Sequence, residues 1–199
     1  MRLLPRAGLA VAALLSIGAT IPAQAAPVLE LTGGIVSIFG QDFSAGWEFT
    51  TNQAITVNAL DAYDPTGTGS VRLYNSVGTV LASATVTTSD PTEGTPILLY
   101  SHAIAPVTLA ANTNYFIAQD FAPSTTAFGD ATGVTTLSEI TYDGAVATLG
   151  LGQNPFIDEA GNQPGFFGPN FDIVVPEPAS IALLIAGLGG LGLIRRKRA

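Results

Sequence analysis

The chain has 199 residues with no cysteine, one histidine, 15 acids and seven lysines plus arginines, for a formal charge of −8. Without cysteine there is no disulfide framework, no thiol nucleophile and no Cys-ligated zinc. Arg2 and Arg6 open the chain and Arg195, Arg196, Lys197 and Arg198 close it, so Glu30 to Asp172 sets 14 acids against Arg72 alone, a formal −13. A body that acidic excludes nucleic acid as a partner, because such binding needs cations that displace counterions from phosphates.

Residues 1–25 read as a secretory signal peptide. Met1 to Arg6 carries two positive charges, and Ala7 to Ile21 is an apolar run of 15 residues interrupted only by Ser16 and Thr20. Pro22 ends the signal helix, and Ala23-Gln24-Ala25 places small residues at Ala23 and Ala25, which signal peptidase requires. Cleavage is expected after Ala25, with signal peptidase and the export machinery as the first partners. The run is too short for a membrane span.

Residues 26–149 read as one all-β body. Ala54 to Leu60 alternates, with Ile55 and Val57 on one face and Thr56 and Asn58 on the other. Val71–Asn75 and Thr79–Val86 flank Ser76-Val77-Gly78, which predicts a hairpin. Further strands are expected at 35–39, 47–50, 97–102, 114–119 and 134–142. Turn chemistry separates them at Asp64-Pro65-Thr66-Gly67, Asp90-Pro91 and Ala111-Asn112. Many short strands without a 3.6 period predict an antiparallel β-sandwich or jelly-roll-like body. Its expected core is Trp47, Phe49, Ile55, Val57, Leu60, Val71, Leu73, Leu81, Val86, Leu98, Val107, Leu109, Tyr115 and Ile117.

Three chemistries bear on the body. His102 is the only base for a Ser-His-Asp device, but Ser101 beside it in a strand must point to the opposite face, and no Gly-x-Ser-x-Gly elbow surrounds any serine. A half-buried strand histidine, and a protein that is not an enzyme, are therefore expected. Asp61, Asp64 and Asp120 sit at strand ends and turns, where they offer the hard oxygens calcium takes, although no EF-hand spacing is present. Calcium is the one candidate cofactor, and none is required. Tyr74 shares a strand face with Arg72, opposite Val71 and Leu73, and alternation turns both outward as a possible glycan contact. A glycan-cleaving enzyme needs two acids across a cleft, and no sequence spacing points to such a pair.

Residues 150–174 read as a Gly/Pro-rich arm, with five glycines and three prolines between Gly150 and Asn170 and a possible last strand at 171–174. Val175-Pro176-Glu177-Pro178 follows, where the two prolines keep the backbone extended and open to a processing enzyme. Ala179 to Ile194 is an uncharged run of 16 residues, about 24 Å as a helix, and spans the inner membrane only marginally. The Arg195-Arg196-Lys197-Arg198 tail after it is held in the cytoplasm. Both chain tips then face the cytoplasm and the body lies outside.

The order of these elements over 175–199 closely resembles the PEP-CTERM protein-sorting signal of Gram-negative bacteria. The resemblance implies an exosortase-type membrane enzyme that cuts near Pro176-Glu177-Pro178 and releases or transfers the protein. It further implies transient inner-membrane attachment, then display at the cell surface or outer membrane or release into the extracellular matrix, in cells that make exopolysaccharide and biofilm. In the body, Gly78 to Val86, Gly94 to Tyr100 and Pro106 to Tyr115 resemble a β-sandwich module of unknown function in secreted bacterial proteins. That likeness implies a fold and carries no active site. A carbohydrate-binding module, with or without calcium, is the alternative expectation.

Overall fold

The computed structural model describes residues 25–38, 40–93, 97–154 and 168–174, and the signal helix, the sorting segment 175–199 and the residues expected at Ala23, Val175, Pro176, Glu177 and Pro178 lie outside them. Among the described residues every regular element is a strand. In chain order these are β1 (Ala25–Pro27), β2 (Leu29–Glu30), β3 (Gly33–Ile38), β4 (Phe43–Thr51), β5 (Ile55–Ala62), β6 (Ser70–Asn75) and β7 (Val80–Thr85). They continue with β8 (Thr92–Glu93), β9 (Leu99–Leu109), β10 (Asn114–Phe121), β11 (Thr126–Thr132), β12 (Thr135–Thr136), β13 (Ile140–Leu149) and β14 (Pro169–Val174).

Two five-stranded antiparallel sheets carry the body. The first runs β1-β14-β5-β9-β8 and the second β13-β4-β10-β6-β7, while β11-β3 and β12-β2 form separate strand pairs. Alternation, switched in parity by the register shift between Val57 and Ala59, turns Ile55, Val57 and Leu60 of the first sheet and Trp47, Phe49, Leu73 and Ile117 of the second into one shared core. Phe171 on β14 stacks on Trp47 at 5.5 Å between ring centroids, and the indole Nε1–H donates to the Pro169 carbonyl at 2.8 Å. The aromatic centre of the core therefore depends on the last strand. Truncating a buried Phe of this kind costs about 3–5 kcal/mol.

The expected hairpin forms between β6 and β7, with Gly78 in the left-handed region at φ 84° and Asn75 Oδ1 accepting from the amides of Val77 and Thr79. Asn112 occupies the same region at φ 51°, as its short polar side chain allows. Gly46 is required by close approach, because a Cβ there would lie 1.8 Å from the Ile117 carbonyl oxygen.

Three expectations change. Leu81 is 36% exposed rather than in the core, because core-facing Leu73 pairs with Ala82 and so turns Leu81 to the other face. Leu98 is 48% exposed, lying just before β9 begins. The expected strand at 134–142 divides into β12 and β13 around a turn in which the Ile140 amide donates to the Leu137 carbonyl. β9 runs on through Pro106 to Leu109, and the register shift between Val57 and Ala59 absorbs the position where proline has no amide to pair.

The last strand is no appendage. β14 lies between β1 and β5 inside the first sheet, with Phe171 opposite Leu60, so the body extends to Val174. Residues 150–154 are bonded too: the Gly150 amide donates to the Asp42 carbonyl and the Gly152 amide to Asp120 Oδ1. β1 pairs with β14 so that Ala25 faces Val174. The residue preceding the expected signal cleavage and the residue preceding Val175 are thus antiparallel partners at one end of one sheet.

Candidate functional site

Two groups of acids occupy the outer faces of the two sheets. On the second sheet, Leu73 and Ile117 point inward, so Arg72 and Tyr74 of β6, Asp120 of β10 and Ser44 of β4 point outward. Arg72 forms a two-pronged ion pair with Asp120, its Nη1 donating to Oδ1 at 3.1 Å and its Nη2 bonding Oδ2. Asp120 Oδ1 also accepts from Ser44 Oγ at 2.6 Å and the Gly152 amide at 3.0 Å. Arg72 Nη2 donates to Ser70 Oγ at 3.0 Å. Burial works to lower the Arg72 pKa, but the bonds to Asp120 outweigh it and hold the guanidinium above its ordinary value. Every partner that a buried carboxylate needs is supplied by the chain.

Tyr74 lies on the same face as Arg72, as alternation requires, but it is only 2% exposed and packs with Phe116, Ala118 and Val146. Its hydroxyl bonds Arg72 Nη1 and the Gln153 carbonyl, both at 3.4 Å. The Tyr74–Arg72 pair is therefore an internal joint under residues 150–154 and not an exposed platform for a sugar.

On the first sheet, Leu60 and Phe171 point into the core, so Asp61 of β5 and Asp172 of β14 point outward, joined by Ser101 of β9 and Glu93 of β8. One carboxylate oxygen from each of Asp61, Glu93 and Asp172 lies within 4.8 Å of the others. Asp61 has no exposed surface and Asp172 is 2% exposed. Among the described residues, Asp61 Oδ1 and Oδ2, Glu93 Oε1 and Asp172 Oδ1 are buried without a hydrogen-bond partner. Ser101 Oγ donates to Asp172 Oδ2 at 3.3 Å.

Burial, followed by the charges of Asp172 and Glu93, pushes the Asp61 carboxyl well above its ordinary value, with the Ser101 hydroxyl acting the other way. Burial, then the Asp172 charge, raises Glu93 from 4.5 to about 7. Burial raises Asp172 as well. Three acids that resist ionisation share one face, and the arrangement suits either shared protons or a hard cation.

The three acids expected to hold calcium do not come together. Asp61 belongs to the cluster just described, and Asp120 is taken by Arg72. Asp64 closes a turn at φ 45°, accepting from the Thr126 amide at 3.1 Å and from Thr66 Oγ1 at 2.6 Å. Burial pushes the Asp64 carboxyl up, but the bonds from Thr126 and Thr66 outweigh it and lower its pKa. Glu93 and Asp172 were not singled out from the sequence. Asp172 did leave a sign, as an acid between the core residues Phe171 and Ile173. Glu93, in a short edge strand after a turn, left none.

Ser101 and His102 diverge as strand neighbours must. Ser101 bonds Asp172, while His102 Nδ1 lies 3.0 Å from Asp90 Oδ1 with 43% of its side chain exposed. The serine is thus not the nucleophile of the Asp90–His102 pair.

The PEP-CTERM protein-sorting motif occupies residues 174–198 and begins on the last residue of β14. The motif marks a protein exported by a membrane-anchored route toward the cell surface and implies an exosortase as the enzyme that processes it. No curated protein and no solved structure matches the chain.

Proposed function

We propose that this chain, carrying a PEP-CTERM motif at 174–198, is a non-enzymatic surface or matrix protein of a Gram-negative cell, delivered through the inner membrane and processed by an exosortase near Pro176-Glu177-Pro178. The observation that carries this reading is where the motif joins the body. β14 ends at Val174, so a cut among residues 175–178 removes no strand from the sheet. A processed product keeps Phe171 against Trp47 and hence keeps its core.

The pairing of Ala25 with Val174 supports the same reading. Residues facing each other in an antiparallel ladder have Cα atoms about 4.5–5.5 Å apart. The two ends of the body, where the expected signal cut and the sorting motif adjoin it, therefore lie next to each other at one end of one sheet. Two of the three clustered acids, Asp61 and Asp172, are buried rather than set across an open cleft, which favours a structural or adhesive role over glycan cleavage. With a formal −13 between Glu30 and Asp172, the released body repels its own copies and stays soluble within an exopolysaccharide matrix.

Replacing Pro176, Glu177 and Pro178 with alanine in producing cells tests the reading. The expected result is a heavier, unprocessed chain retained in the membrane fraction. Release of the variant at the same mass and amount as the parent would contradict it.

A further inference from the structure

We propose that Asp61, Glu93 and Asp172 form a calcium site on the outer face of the first sheet, with Ser101 as a supporting hydroxyl. The inference goes beyond processing and stands apart from it. Its starting point is the fully buried Asp61, whose two carboxylate oxygens have no hydrogen-bond partner among the described residues. A buried carboxylate in that state is costly unless a proton or a cation compensates it. Glu93 Oε1 and Asp172 Oδ1 are unpartnered in the same place, so three carboxylates converge with no ion pair to a basic side chain among the described residues. Arg72 is the one Lys or Arg between Glu30 and Asp172, and it is already committed to Asp120.

The donors select the ion. All are oxygens, carboxylate and hydroxyl, with no imidazole or thiolate in the cluster, which suits calcium rather than zinc or copper. Calcium holds oxygens at about 2.3–2.6 Å, so two on opposite sides of it lie about 4.6–5.2 Å apart. A cluster whose oxygens fall within 4.8 Å of one another accommodates that span. Magnesium sheds its waters reluctantly, which sets it against a site built on a carboxylate with no exposed surface.

The topology gives the ion a task. Glu93 sits on edge strand β8, Asp61 on central β5 and Asp172 on β14, so one bound cation ties three strands of the first sheet together. Asp172 lies two positions before the start of the sorting motif. Calcium would fasten the strand that leads directly to the processing point, and would do so once the body has reached the outside.

The test uses the full-length chain in mild detergent, stripped with EDTA and then titrated with calcium chloride, with magnesium chloride as comparison. Thermal unfolding should shift upward by about 5 °C at millimolar calcium, the scale expected when an ion binds the folded state alone. Asp61→Asn should abolish the shift. Glu93→Gln, at the sheet edge, should weaken calcium binding at least about tenfold by calorimetry, the loss of one charged ligand. The exposed control Asp42→Asn should leave both unchanged. No calcium shift in the parent, an equal shift with magnesium, or an undiminished shift and unchanged calcium affinity in Glu93→Gln would overturn the proposal. Glu93→Gln keeps the test decisive even where Asp61→Asn fails to fold.

Discussion

The outer faces of the two sheets solve the same problem in different ways. On the second sheet a buried acid, Asp120, is met by Arg72, Ser44 and the Gly152 amide. On the first, Asp61, Glu93 and Asp172 meet mainly one another, with Ser101 on one oxygen of Asp172. Burial alone does not separate them, since Asp120 is 4% exposed and Asp172 2%. The difference lies in charge: one cluster contains its own cation and the other consists of like charges. A chain with one arginine in its body can neutralise one such cluster from within, and the second depends on protons or on an ion from outside.

The largest expected effect comes from making the second sheet resemble the first. Arg72→Met leaves Asp120 buried without its cation and should lower unfolding free energy by about 3–5 kcal/mol in urea denaturation. A loss below about 1 kcal/mol would erase the distinction between the clusters. Adding Asp120→Asn to Arg72→Met should recover about 2 kcal/mol, because the uncompensated charge goes with it.

The same substitution should have opposite signs on the two sheets. In metal-free protein near neutral pH, Asp61→Asn replaces an acid that burial and its acidic neighbours keep from ionising in the fold and should raise stability by about 1–2 kcal/mol, while Asp120→Asn alone should lower it. Equal signs would mean that the clusters are electrostatically alike. The smallest effect belongs to the partly exposed Asp90–His102 pair, where His102→Ala should change stability by no more than about 0.5 kcal/mol.

Most of the strands were legible because alternation and turn residues are local. The hairpin around Gly78 and the left-handed Asn112 follow from residues adjacent in sequence. What alternation does not give is which parity faces inward when a strand shifts register, and Leu81 changed faces for that reason. The place of β14 was hidden for a different cause. A Gly/Pro-rich approach reads as a linker, while the pairing that inserts β14 between β1 and β5 joins segments more than a hundred positions apart.

The candidate site was hidden in the same way. Asp61 stood out beside a turn, but its partners come from β8 and β14, and only the order β14-β5-β9-β8 brings Glu93 and Asp172 to it. Tyr74 and Arg72 were placed on the correct face from the sequence. Their burial under residues 150–154 depends on contacts that no local pattern encodes.

The contrast between the two sheets is tested most directly by the stability of the full chain against pH, once in EDTA and once in millimolar calcium. Without calcium, Glu93 titrates in the fold at about 7 against an ordinary 4.5, and Asp61 and Asp172 are raised in the same direction. Between those values the folded state keeps protons that the unfolded chain has released, so this contribution is full below about pH 4 and lost as pH rises through about 7. Calcium binds the ionised carboxylates and reverses the trend. The predicted result is two curves that coincide near pH 4 and separate steadily toward pH 8, with the calcium curve above. Curves that superimpose across the whole range would contradict it.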